Sequence, residues 1–330
     1  MEGVELIKQY RGDLLECIHR GRLTIVSEKG VELALGDENS YAFYRSASKP
    51  IQSLPVVIRH LPEKYGLTNT EAAILSGSHW AQKQHVEALE SIIAKTGLKE
   101  EDMIMLPTYP RDQEMLHHVI KNDLPKRKIY HNCSGKHLGI MLLARELGEE
   151  IGNYWKIESK AQGEILKVIS MMTDTPVSEI KIGTDGCGVP VYAAPMKNLA
   201  RSYLKLACPD MIEDDDLREA VIRNRRYIHT APYMMDATGQ ASAVIDSVDD
   251  LIGKDGALGF YALGISSKRL GIAVKINDGN DQKAVFSILN VLRQLGYDEE
   301  LTNRLAKVTP DTIVNDNKIT VGYQEAVFKI

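Results

Sequence analysis

The chain has 330 residues, 44% of them hydrophobic and 26% charged, enough to bury a large core as one big domain or two ordinary ones. Its formal net charge of −5 and pI near 6 exclude nucleic acid as the main partner, because sequence-independent binding to phosphates rests on a cationic surface. Four scattered cysteines, at 17, 133, 187 and 208, exclude a disulfide framework.

In chain order, Leu14 to His19 is apolar with polar interruptions, and Arg20-Gly21 reads as a break before a strand over Arg22 to Val26. The apolar runs 22 to 26 and 31 to 35 flank Glu28-Lys29-Gly30, which predicts a β-hairpin or meander closed by Gly36-Asp37. From Pro50 to about 175 the apolar period is helical: Leu54, Val57 and Ile58 share a face, as do Val86, Leu89, Ile92 and Ile93, and 140 to 147 continues it. Loops interrupt this stretch around 62 to 68, 106 to 112 and 131 to 135; the run Lys126-Arg127-Lys128 reads as a solvated turn. Further on, 257 to 263 and 270 to 276 read as strands joined by a turn at Ser266 to Arg269. Ala284 to Leu292 gives a helical face, and Lys318 to Lys329 alternates like a final strand.

Strands at both ends with helices between them predict one α+β domain over 1–330, with a sheet from approximately 1–49 and 240–330 and a mainly helical part over approximately 50–239. Met1 to Leu6 lacks a basic and then apolar leader, and no run reaches the roughly 18 apolar residues of a membrane span. The expectation is a soluble, cytoplasmic protein with reduced thiols and no membrane partner.

Four segments carry residues suited to chemistry. In Arg45-Ser46-Ala47-Ser48-Lys49-Pro50, a serine and a lysine three residues apart meet on one side of a helical turn. A lysine amine kept neutral by burial or by a nearby cation can take the serine proton; Pro50 makes 46 to 49 a tight turn leading into a helix. The second segment, Ser76-Gly77-Ser78-His79 with His85, has small residues that let a backbone approach a ligand closely. The third and fourth, His131-Asn132-Cys133-Ser134-Gly135-Lys136-His137 and Asp185-Gly186-Cys187-Gly188, each hold a thiol in a polar turn, where two cysteines and a nitrogen from His131, Lys136 or His137 would suit zinc. Spacing alone favours histidine as that donor.

Taken in order with Lys254-Asp255-Gly256-Ala257 and Gly271 to Gly279, these segments make a sequence that resembles the Rhizobium etli-type L-asparaginases over most of its length. The resemblance implies a fold similar to serine β-lactamases, penicillin-binding proteins and glutaminases, and hydrolysis of L-asparagine to L-aspartate and ammonia. It implies two Ser/Lys pairs, Ser46 with Lys49 and Ser78 with Lys254, a Zn2+ held by Cys133, Lys136 and Cys187, and a homodimer. Arg45, Asp185 and His79 are expected at the amino-acid substrate, Arg45 on its α-carboxylate and Asp185 on its α-ammonium or behind the metal. The chain departs from the family where Trp80-Ala81-Gln82-Lys83 replaces Ser-Gly-Glu-Pro and where Leu258 replaces a glutamate, so two carboxylates are missing. Rival readings are a glutamine- or other amide-specific amidase, a β-lactamase or transpeptidase, and a non-catalytic amino-acid or zinc-binding homologue.

Overall fold

The computed structural model describes residues 3–330. Both ends of the chain build its main sheet. The strands are β1 (Val4–Arg11), β2 (Leu14–Ser27), β3 (Gly30–Leu35), β4 (Tyr41–Phe43), β5 (Lys181–Thr184), β6 (Pro190–Pro195), β7 (Leu251–Gly256), β8 (Phe260–Ile265), β9 (Leu270–Ile276), β10 (Thr312–Val314) and β11 (Thr320–Ala326). Eight of them form an antiparallel sheet in the order β10-β11-β1-β2-β9-β8-β7, with β3 also paired to β2, while β4-β6-β5 form a small separate sheet. The architecture is α+β, as expected.

The long strand β2 is the hub. Its first part pairs with β1, and its second with β3 and β9 in the register Leu23↔Val274 and Ile25↔Ile272. Arg20-Gly21 does not break it. A Cβ at Gly21 would lie 2.4 Å from the Lys275 carbonyl oxygen, so this glycine admits β9 at close range inside a continuous strand.

Leu23, Ile25, Ile272 and Val274 point to a core shared with the helix Asp281–Gln294, through Phe286 and Leu289. Val26, Ala262 and Ala273 face the other way, into the core of the helical region with Leu199 and Tyr203 of the helix Met196–Ala207. Covered on both faces, β8 is buried at all its positions.

Between β4 and β7 the chain is mainly helical, as the period over 50–175 predicts, with β5 and β6 as an unpredicted insertion. The helix Ser134–Glu146 is buried from Ser134 to Ala144, a central position that fixes whatever its first turn carries. No helix among the described residues is long and apolar enough to cross a membrane.

Candidate active site

Ser46 lies in a 3₁₀ turn, Arg45–Ser48, that runs into the short helix Lys49–Gln52 with Pro50 in its first turn. Residues three apart eclipse one another in such a turn, which sets Ser46 and Lys49 on the same side. Lys49 is fully buried; burial first, then the cations of Lys136 and Lys254, lower its pKa against an opposing pull from Cys133. Its Nζ donates to Ser78 Oγ at 2.8 Å and to the Asn132 carbonyl at 3.4 Å.

Ser78 follows the helix Asn69–Ile74, and its N–H bonds the Met235 carbonyl at 2.9 Å. The adjacent Gly77 makes that seam possible: a Cβ there would come within 2.1 Å of the Met234 carbonyl oxygen. Lys254, on β7, is fully buried and ion-paired to Asp255. Asp255 also accepts from Ser242 Oγ at 2.9 Å. Lys49 thus contacts Ser78 as well as sharing a turn with Ser46, and Lys254 contacts Asp255. Ser46 and Ser78 line one cleft of about 490 Å³ together with Trp80, Arg111, Asp236 and Asp255.

The thiols of Cys133 and Cys187 meet, with Cys187 hydrogen-bonded to Cys133, and all four cysteines are free. That bond and the lysines Lys49 and Lys136 hold the Cys133 thiol well below the usual range, although burial opposes them. Lys136 Nζ donates to Cys187 Sγ at 3.0 Å and sits 3.9 Å from Asp185 Oδ2. Burial pushes the Lys136 ammonium down, but Cys187, Cys133 and Asp185 outweigh it and raise its pKa. The histidines that spacing favours are engaged elsewhere. His131 Nδ1 accepts the Cys133 N–H at 3.1 Å, and His137 Nδ1 meets Tyr154 OH at 2.7 Å. Among the described residues no three His, Cys, Asp or Glu side chains are grouped to hold a metal, so a metal here needs Lys136 as the third donor. Two soft thiols, one already favouring its thiolate, with an amine in contact, are a donor set that fits zinc.

Arg45 and Asp185 are occupied by each other. Arg45 has a left-handed backbone (φ 51°), and its Nε and Nη2 both donate to Asp185 Oδ1 at 2.8 Å. Neither residue lines the cleft. His79 is fully enclosed, meets Ser134 Oγ at 2.7 Å and accepts the Ala81 N–H at 3.0 Å; it reaches the cleft only through its neighbours. Burial, and then His85 and Lys49, push its pKa well below the usual histidine range.

Arg111, Asp236 and Asp255 are cleft residues that sequence reasoning did not single out. Arg111 lay in the polar loop 106 to 112 and Asp255 beside Lys254, so both carried a weak signal. Asp236 carried none.

The sequence profile of the family described as L-asparaginase II matches residues 7–326, and the chain belongs to that family. A search of curated proteins finds no match. Among solved structures, a β-lactamase from Mycobacterium bovis is similar with a TM-score of 0.43 and 13% identity, covering 88% of this chain and 95% of that one. A class C β-lactamase is similar with a TM-score of 0.44 and 15% identity, covering 82% of this chain and 92% of the other.

Proposed function

We propose that this member of the L-asparaginase II family is an amidohydrolase that releases ammonia from the side-chain amide of L-asparagine, with Ser46 as nucleophile, Lys49 as its base and Ser78 as proton relay. The observation that carries the reading is the buried Lys49 amine, 2.8 Å from Ser78 Oγ and eclipsed with Ser46 across one turn. With two N–H bonds directed at Ser78 and the Asn132 carbonyl, a neutral amine keeps its lone pair for the Ser46 proton.

Ser46 Oγ attacks the amide carbon while its proton passes to Lys49. Lys49 hands a proton through Ser78 to the departing nitrogen, which leaves as ammonia. Water then attacks the acyl-serine, the same groups carry its proton back to Ser46, and aspartate departs. Lys254, held in place by its ion pair with Asp255, favours the free amine of Lys49 through its positive charge. Cys133, Cys187 and Lys136 would hold zinc, with Lys136 giving up its proton to do so. Bound there, the metal would fix the two thiols as thiolates and Lys136 as a free amine.

The test is ammonia release from L-asparagine and L-glutamine by the purified protein, as isolated, after chelation, and with Ser46→Ala. Asparagine-selective release that is lost in Ser46→Ala is the expected outcome, and the chelated sample reports whether zinc is needed. No release under any condition would sink the amidohydrolase reading in favour of an amino-acid-binding homologue.

A further inference from the structure

Five charged side chains line the cleft, Arg111, Asp236, Asp255, Asp281 and Lys307, and among the described residues Asp255 alone of these has an ion pair. Asp255 is taken by Lys254 and Ser242, Asp281 accepts the Gly259 N–H at 2.6 Å, and Arg45 with Asp185 neutralise each other away from the cleft. Asp281 and Lys307 are exposed to solvent, which leaves two groups set apart by their surroundings. Asp236 is 8% exposed, and its carboxylate receives one hydrogen bond, 2.9 Å from the N–H of its own neighbour Ala237. The guanidinium of Arg111 stacks over the Trp80 ring at 4.8 Å and makes no ion pair or side-chain hydrogen bond among the described residues.

A buried carboxylate without a cation is costly. Burial first, then repulsion from Asp255, push Asp236 up to about 7 even though Lys254 and Arg111 pull it down. Arg111 is thus close enough for its charge to be felt at Asp236, yet the two do not pair. An opposite pair of unmatched charges, held apart in the cleft that both serines line, is the complement of a zwitterion.

We propose that Asp236 and Arg111 recognise the α-ammonium and the α-carboxylate of an L-α-amino acid that bears a side-chain amide, and are the specificity-determining residues of this cleft in place of Arg45 and Asp185. The inference deepens the proposed function and rests on the cleft being the substrate site. Arg111 serves the carboxylate because its planar fork is preset by the Trp80 ring and can bind in two-pronged fashion. Lys307, the other cation lining the cleft, is an exposed side chain on a separate helix, Glu299–Val308, and is not needed.

The test pairs each residue with the ligand group it reads. Binding of L-asparagine, succinamate (no ammonium) and 3-aminopropanamide (no carboxylate) is measured by calorimetry on Ser46→Ala, alone and combined with Asp236→Asn, Arg111→Gln or Lys307→Gln. Asp236→Asn should weaken L-asparagine by about 30-fold or more and leave succinamate unchanged. Arg111→Gln, at a more exposed site, should weaken it by about 5-fold and leave 3-aminopropanamide unchanged; Lys307→Gln should change nothing. On the parent Ser46→Ala protein both truncated ligands should bind at least about 10-fold more weakly than L-asparagine, a comparison that does not depend on any cleft variant folding. Equal losses for the full and truncated ligands, or no binding of L-asparagine, would overturn the proposal. Group-selective binding without ammonia release by the unsubstituted protein would leave this inference standing and remove the amidohydrolase reading; release without group-selective losses would do the reverse.

Discussion

Beneath the cleft, the polar side chains satisfy one another: Lys49 holds Ser78, Lys136 holds Cys187, Cys187 bonds Cys133, and Arg45 clamps Asp185. Along the cleft itself, Arg111 and Asp236 have no ionic partner among the described residues. The first arrangement sets protonation states before any ligand arrives, as acid–base chemistry requires. The second leaves charge for the ligand to complete. Both cost stability, because buried amines and carboxylates fold less readily than apolar groups of the same shape, and that cost marks where function overrides packing.

The largest effect that would separate the two regions is expected at Lys49. Lys49→Met removes the base and should lower kcat for ammonia release by about 10²- to 10⁴-fold. Stability should move the opposite way. A lysine whose pKa is lowered on folding opposes folding below its unfolded-state pKa, so the melting temperature of Lys49→Met at neutral pH should equal or exceed that of the parent. A large drop in melting temperature would show that Lys49 is a structural group, and the contrast would fail.

Gly77 tests whether the two regions are joined. It precedes Ser78, and its Cα faces the Met234 carbonyl, two residues before Asp236. Gly77→Ala should force that seam apart, destabilise the protein by about 1–3 kcal/mol and weaken both turnover and L-asparagine binding. Thermal unfolding and the two assays together read this. Loss of turnover with unchanged binding would mean that the 234–236 segment is positioned independently of Ser78.

How much of this was legible in the sequence depends on whether a residue's neighbours are local. The strands β8 and β9 show as apolar runs in the sequence because both their faces are covered, and the helix Asp281–Gln294 shows an apolar period through Ala284, Val285, Ile288, Leu289 and Leu292. Strand β7 does not, because Gly253, Lys254 and Gly256 occupy positions that burial would ordinarily give to apolar residues. β1 has only Leu6 and Ile7 buried, too few to show alternation. At the site, Ser46, Lys49, Ser78, Lys254 and the Cys133/Lys136/Cys187 set were expected from the resemblance to the family, spacing alone favouring a histidine over Lys136, and their partners could not be read from the sequence. Ser78 reaches Lys49 across 29 residues, and the seam between Gly77 and Met234 decides where Asp236 lies. Asp236 itself looks like any loop aspartate until its burial is known.

The smallest effect is a pH dependence that assigns charge to Asp236 alone. Its carboxyl is held up to about 7, and the charged groups acting on it are Asp255, which raises it, and Lys254 and Arg111, which lower it. Below that value the group is protonated and neutral, and cannot pair with an ammonium; above it the carboxylate can. The KM for L-asparagine should therefore fall as pH rises through about 7, while the KM for succinamate should not follow it. Binding of the ammonium should itself lower the Asp236 pKa, by the reciprocity of linked equilibria, so L-asparagine binding should release protons near neutral pH, measurable by calorimetry in buffers of different ionisation enthalpy. In Asp236→Asn both the slope in KM and the proton release should vanish, whereas any rise of kcat with pH, which reports deprotonation of Lys49, should remain. A KM slope that persists in Asp236→Asn would place the titrating group elsewhere, Asp255 being the nearest alternative, and would merge the two regions into one coupled network.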